Sequence, residues 1–237
     1  MRANCLAAGL LLLCGCGSHP GPQPGPAETA AAQASPAAQT APAATDTRPV
    51  VVAFGDSLTA GFGADPGKSY PDFLQQELDR GGYRYRVANA GISGETTTDA
   101  LERLKTVTAL KPAVVIVEFG GNDGLRGLPI STTRSNLDQI IAGLRDSGTQ
   151  VLLAGMTLPP NYGPEYIAAF QRIYSDLAAK YKVALIPFLL EGVAGTARMQ
   201  RDGLHPTAEG NRLVAATVMR YLRPMLGSKA PARHAGT

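Results

Sequence analysis

The chain has 237 residues, 44% of them hydrophobic, enough for one ordinary domain with a filled core. Its formal charge of +3 comes mostly from the two ends, because residues 49–226 carry 18 Lys/Arg against 17 Asp/Glu. With no basic stripe interleaved with aromatics, nucleic acid is not an expected partner.

The first sixteen residues read as an export signal: Arg2 supplies a positive start, residues 6–13 form a short apolar run, and small residues with cysteine follow. The run is too short to remain as a membrane span. Leu13-Cys14-Gly15-Cys16 resembles the lipobox of bacterial lipoproteins, in which Leu stands three before, and a small residue just before, the cysteine that becomes the lipidated first residue. Cys16 fits this pattern better than Cys14; the alternative is an ordinary signal peptide with incidental cysteines. The expectation is a signal peptide over 1–15 and lipid on Cys16. Several acyl chains, each buried methylene contributing about 0.8 kcal/mol, would hold the protein on an envelope membrane, facing periplasm or exterior, without crossing it. Cys5, Cys14 and Cys16 are the only cysteines. Processing at Cys16 would therefore leave a domain with neither a disulfide framework nor a thiol nucleophile. Residues 17–48 hold ten Ala and six Pro in 32 positions, with almost no large apolar side chain, so 16–48 reads as the lipidated cysteine and a tether.

From Pro49 onward, short β-branched runs alternate with segments of helical periodicity, the pattern of a parallel sheet flanked by helices. The runs are 50–54, 85–88, 113–119, 151–154 and 183–186. Between them Phe73, Leu74 and Leu78, then Leu101, Leu104 and Val107, then Leu137, Ile140, Ile141 and Leu144 recur at spacings of three and four, which gives each connection one apolar face. Residues 165–181 and 207–222 continue the alternation, and 227–237 read as a solvated tail. In such open sheets the usable crevice lies beyond the carboxyl ends of the strands.

Gly55-Asp56-Ser57-Leu58 follows the first run directly. A Ser or Asp there commonly caps a helix; it is also where a nucleophilic hydroxyl would be presented, provided that a base removes its proton. His19 lies in the tether and His234 in the tail, which leaves His205 as the one imidazole of the folded part. In Asp202-Gly203-Leu204-His205-Pro206 the carboxylate can turn back to accept the ring N–H, fixing tautomer and orientation. The alternatives are a histidine with a merely local hydrogen bond and an Asp202 that caps the helix beginning near Thr207. Donors for a developing oxyanion are available in Asn89-Ala90-Gly91-Ile92-Ser93-Gly94-Glu95, where Gly94 is otherwise a turn glycine. They are also available in Gly120-Gly121-Asn122-Asp123, where Asn122 is otherwise a turn cap.

These four blocks, in this order, resemble the SGNH (GDSL-type) hydrolase family, over about residues 50–225. The Gly55 to Gly61 stretch, the GGNDGLRG run at 120–127 and Leu158-Pro159-Pro160-Asn161-Tyr162-Gly163 resemble its bacterial periplasmic acyl-CoA thioesterase, lysophospholipase and arylesterase group. The resemblance implies an α/β fold, a flavodoxin-like three-layer sandwich with a five-stranded parallel sheet over 49–226. It implies Ser57, Asp202 and His205 as a triad, an oxyanion hole of the Ser57 N–H, the Gly94 N–H and the Asn122 side chain, and hydrolysis of acyl esters or thioesters through an acyl-enzyme.

Other readings find less support. The stretch 61–69 lacks the first glycine of a phosphate-binding loop, having Phe62 there. No serine sits in a nucleophile elbow with Gly two away on each side. One His and no Cys in the domain are too few for a usual zinc site, and no cofactor is expected. Segments 124–130 and 158–163 are expected to border an acyl pocket, with Leu125, Leu128, Pro160 and Tyr162 as its residues. A carbohydrate O-deacetylase of the same fold is the main alternative, and a non-catalytic acyl- or glycan-binding lipoprotein is a further one.

Overall fold

The computed structural model describes residues 46–227; the signal segment, Cys16, the stretch up to residue 45 and the tail from residue 228 lie outside the described residues. Five strands form one parallel sheet: β1 (Val50–Gly55), β2 (Arg86–Gly91), β3 (Val114–Glu118), β4 (Gln150–Ala154) and β5 (Ala184–Ile186). Their order is β2-β1-β3-β4-β5, the flavodoxin-like order. β1 and β3 lie inside the sheet and are buried along their whole length. A strand covered on both faces must be apolar throughout, which is why Val-Val-Val-Ala-Phe and Val-Val-Ile-Val read as unbroken runs.

The connections are α1 (Ser57–Ala60), α2 (Tyr70–Arg80), α3 (Thr97–Glu102), α4 (Leu104–Thr108), α5 (Gly121–Leu125), α6 (Ile130–Asp146), α7 (Pro164–Tyr181) and α8 (Ala208–Leu222). Right-handed crossovers put α2 on one face of the sheet and α3, α4, α6 and α7 on the other. The packing agrees, since α8 returns against α2 while α3 packs on α6 and α6 on α7. α2 begins at a capping box of Ser69 and Asp72 and buries Phe73, Leu74 and Leu78, so Ser69 of the phosphate-loop look-alike serves as a helix cap. The periodic segment around Leu101 and Leu104 is two short helices rather than one, with Arg103 between them at φ −100 and ψ 11. α1 and α5, too short for a periodic signal, start where β1 and β3 end. No described helix is long and apolar enough to cross a membrane.

The sheet order reverses between β1 and β3, and the crevice opens there. Beneath it Phe54 and Phe119 meet edge to face at 4.7 Å, both fully buried, and the Arg103 guanidinium lies over Phe54 at 4.5 Å from the ring centre. Burial of each ring stabilises the fold by about 1.5–3 kcal/mol.

Candidate active site

Ser57 opens α1, two residues past the end of β1. The residue that caps this helix is Asp56, whose Oδ1 accepts the Leu58 N–H at 3.0 Å, so the capping role and the hydroxyl that meets His205 are divided between neighbours. Gly55 has no room for a side chain, because a Cβ would meet Thr59 Oγ1 at 2.1 Å and Glu118 Oε2 at 2.4 Å. Gly91 is just as constrained by the α1 backbone, 2.2 Å from the position of its Cβ.

His205 arrives from the far end of the chain. The backbone around it is closed by Arg201 N–H donating to His205 O at 2.8 Å and Thr207 N–H donating to Met199 O at 2.8 Å. Inside this turn, Gly203 at φ +82 lets the chain reverse. Asp202 Oδ1 accepts the N–H groups of Leu204 and His205 at 3.0 and 2.7 Å. Its Oδ2 lies 2.7 Å from His205 Nδ1, and His205 Nε2 lies 2.9 Å from Ser57 Oγ. α8 is capped by Thr207, which accepts from Gly210, so Asp202 is not its cap. The His205 backbone N–H, and then its ring, hold the Asp202 carboxyl well below the usual carboxylate range. Phe62, 53% exposed, leans on the imidazole with ring centres 4.6 Å apart.

Gly94 is at φ +85, with its carbonyl accepting from Arg126 Nη2 at 2.8 Å. Among the described residues neither its N–H nor that of Ser57 has an acceptor. Asn122 lies inside α5 rather than capping a turn, and its Nδ2 donates to Asp56 Oδ2 at 3.0 Å and to Glu95 O at 2.9 Å. Both of its amide hydrogens therefore already have acceptors. α5 itself is fixed by the next residue, since the buried Asp123 accepts from the Thr97 N–H at 2.9 Å and the Thr97 hydroxyl at 2.5 Å. Arg103 pairs with Glu95 and donates to Gly55 O at 3.2 Å, which ties the Gly94 loop to the end of β1.

Ser57, Asn122 and His205 all line one cavity of about 410 Å3, within the roughly 300–1,000 Å3 usual for small-molecule sites. Leu125 and Pro160 are on its wall together with Met156, Leu158, Phe188, Leu190 and Leu204. Leu128 and Tyr162 are not among its lining residues; the Tyr162 hydroxyl instead donates to Leu125 O at 2.7 Å. No Lys or Arg lines it. Among the described residues no group of three His, Cys, Asp or Glu could hold a metal ion.

Sequence reasoning did not single out Glu118 or the side chain of Asp56, two carboxyl groups buried together under Ser57. The available signal was a carboxylate closing an otherwise apolar strand, Val-Val-Ile-Val-Glu. It also missed the cavity wall from Met156, Phe188, Leu190, Ala194, Gly195 and Gln200, which lie outside the motif blocks.

Residues 53–213 match the GDSL-like Lipase/Acylhydrolase family. Esterase TesA of Pseudomonas aeruginosa is 46% identical over 174 residues, 73% of this chain and 87% of that protein. Thioesterase 1/protease 1/lysophospholipase L1 of Escherichia coli K12 is 37% identical over 186 residues, 78% of this chain and 86% of that protein. The crystal structure of TesA superposes with a TM-score of 0.72 at 45% identity, covering 75% of this chain and 99% of that one. A parallel five-stranded sheet of this order, a family match over most of the described chain and relatives at this identity place the protein in the GDSL-like lipase/acylhydrolase (SGNH hydrolase) family, as a carboxylic ester hydrolase.

Proposed function

We propose that the protein hydrolyses acyl esters or thioesters through a covalent acyl-enzyme on Ser57, with His205 as general base and Asp202 as its orienting carboxylate. The observation that carries this reading is the hydrogen-bonded line from Asp202 Oδ2 through His205 to Ser57 Oγ, at 2.7 and 2.9 Å, opening on an apolar cavity. Asp202 accepts a hydrogen bond from Nδ1–H and stays ionised, which leaves Nε2 free to take the Ser57 proton as Oγ bonds to the substrate carbonyl carbon. The carbonyl electron pair moves onto oxygen, where the N–H groups of Ser57 and Gly94 and the Asn122 amide receive it. Asn122 reaches that oxygen by sharing a hydrogen now given to Asp56 or Glu95. As the tetrahedral carbon collapses, its bond to the alkoxide or thiolate breaks and the leaving group takes the proton from Nε2. Water then repeats the sequence and releases the acid with Ser57 restored.

The cavity wall favours an acyl chain or aromatic acid over a sugar. A glycan site would place hydrogen-bonding groups around the ring, whereas nine of the residues on this wall are Leu, Met, Pro or Phe and none is Lys or Arg. The reading is tested with p-nitrophenyl esters from acetate to palmitate, an acyl-CoA and a lysophospholipid, each with wild type and Ser57→Ala. Turnover that is lost in Ser57→Ala and prefers chains longer than acetate is the expected result. Activity on acetyl-carbohydrates alone would establish a deacetylase, and a Ser57→Ala variant as active as wild type would overturn the mechanism.

We extend the proposal to export and lipidation at Cys16, on the lipobox and the Ala/Pro-rich stretch behind it. Expression in a bacterium with labelled palmitate should mark wild type and not Cys16→Ser; equal labelling would remove Cys16 as the anchor.

A further inference from the structure

β3 closes an apolar run with a carboxyl group. Glu118 is fully buried below the turn that presents Ser57. Its Oε2 accepts the Asp56 N–H at 3.2 Å and the Thr59 hydroxyl at 2.8 Å. Its Oε1 is just as buried and meets no donor among the described residues. A buried acceptor without a donor costs about 1–3 kcal/mol, and more when it is charged. Besides Thr59, Glu118 interacts with the Asp56 carboxyl through charge and a side-chain hydrogen bond, and that carboxyl is itself 3% exposed. Two carboxylates side by side in a buried site cannot both ionise. An oxygen that finds no donor is satisfied when it carries the proton and gives it away.

We infer that Glu118 is a neutral carboxylic acid in the working enzyme, donating a hydrogen bond from Oε1 to Asp56 and so fixing the carboxyl that holds Asn122 and the Leu58 N–H on either side of Ser57. Glu118 is then a positioning residue: it touches no substrate and acts through Asp56. The site is shaped for it, since Gly55 leaves the space that the Glu118 carboxyl occupies.

The surroundings agree. Desolvation pushes Glu118 well above the ordinary carboxyl range, with the Asp56 charge adding to it. Desolvation also raises Asp56 to about 6, opposed by the bonds from Leu58, Glu118 and Asn122 and by the charge of His205. Both Asp56 oxygens already accept a donor, from the Leu58 N–H and from Asn122 Nδ2, whereas Glu118 Oε1 has none, so the proton of the pair belongs on Glu118. Of the other groups facing the pair, Tyr70 on α2 and Tyr174 on α7 are phenols that burial keeps neutral. Asp123 of α5 is bound to Thr97 and Thr133. Arg103 has its charge matched by Glu95. None supplies a donor to Oε1.

The test has one arm independent of activity, because the inference uses the Ser57 mechanism only for its kinetic consequence. Difference infrared spectra of the full protein with carbon-13 glutamate, at neutral and mildly alkaline pH, should show a protonated carboxylic-acid carbonyl band that is missing in Glu118→Gln. In the ester assay Glu118→Gln, which keeps a donor and no charge, should hold kcat within about threefold of wild type. Glu118→Ala should lower kcat by about 10- to 100-fold at little change in KM. Absence of the band in wild type, or a folded Glu118→Gln with kcat as low as that of Glu118→Ala, would overturn the assignment. Should Glu118→Ala not fold, the infrared band and the Gln variant still decide. Failure of the Ser57 mechanism shows separately, as Ser57→Ala turning over normally while the band persists.

Discussion

Two carboxyl groups serve the Ser57 turn, Asp202 through His205 and Asp56 beside it in the chain, and the fold treats them in opposite ways. Asp202 sits on the loop before α8 with its side chain 44% exposed, and the N–H groups aimed at it hold its carboxyl well down. Asp56 lies on the floor between β1 and β3, 3% exposed, and loss of water pushes it up to about 6 despite three hydrogen bonds in its favour. In the proposed mechanism the wet carboxylate is the one that must stay charged, since it faces an imidazolium as it forms. The dry one holds geometry. The same functional group thus serves charge where water and N–H groups support ionisation, and placement where they do not.

That contrast predicts substitutions that separate catalysis from stability. Asp202→Asn should lower kcat by about 10⁴-fold, by offering the wrong hydrogen-bonding face to the imidazole; a folded Asp202→Asn protein with kcat close to wild type would remove Asp202 from the triad. Next in size, Asn122→Ala should lower kcat/KM by about 10²- to 10³-fold, close to 3 kcal/mol of transition-state stabilisation. Full turnover in a folded Asn122→Ala protein would remove it from the oxyanion hole. Leu190→Phe, which narrows the cavity, should disfavour long acyl esters relative to acetate by about 10- to 100-fold. Leu128→Phe, outside the lining residues, should leave the chain-length profile alone. On the dry side, Gly55→Ala should destabilise by about 1–3 kcal/mol through the clash with Thr59 and Glu118, read as a lower urea midpoint at unchanged slope.

The smallest effect is in the pH dependence of stability, where the two sides pull in opposite directions. Asp56 and Glu118 bind protons more tightly folded than unfolded, so their burial costs stability above their folded values. That cost is relieved as pH falls from neutral through about 6 for Asp56. Asp202 does the reverse: its contribution is present above the ordinary carboxyl range and is lost as pH falls below it. Urea midpoints should therefore rise on mild acidification and then fall, by no more than about 1.4 kcal/mol per pH unit for each proton. In Glu118→Gln the rise should shrink.

The strands were legible because a strand buried on both faces needs an uninterrupted apolar run, and the observed limits differ from those runs by a residue or so in most cases. β2 is the clearest exception, beginning at Arg86 and continuing through Asn89 to Gly91; as an edge strand it needs no continuous apolar run. The helical segment around Arg103 was less legible, since its apolar spacing is unchanged by a local break and its guanidinium reaches back to Glu95 and Gly55 O. The four motif blocks pointed to Ser57, Gly94, Asn122 and His205; Ser57, Asn122 and His205 line one cavity, and Gly94 lies outside its lining residues, next to Glu95, whose carbonyl accepts from Asn122. Tyr162, named from its block, turns its hydroxyl to the Leu125 carbonyl instead of the cavity.

The sequence by itself determined the alternation of strands and helices, the nucleophile and base candidates and the family, because periodicity and short motifs are written in adjacent residues. The three-dimensional fold alone decided that Glu118 lies against Asp56 across 62 positions of chain and that Asn122 has both hydrogens engaged. It also decided that residues 156–160 and 188–204 share one wall. The physical reason is that burial and hydrogen-bond satisfaction belong to the neighbours that a group acquires in space, and those neighbours come from strand ends and loops whose proximity no local pattern encodes.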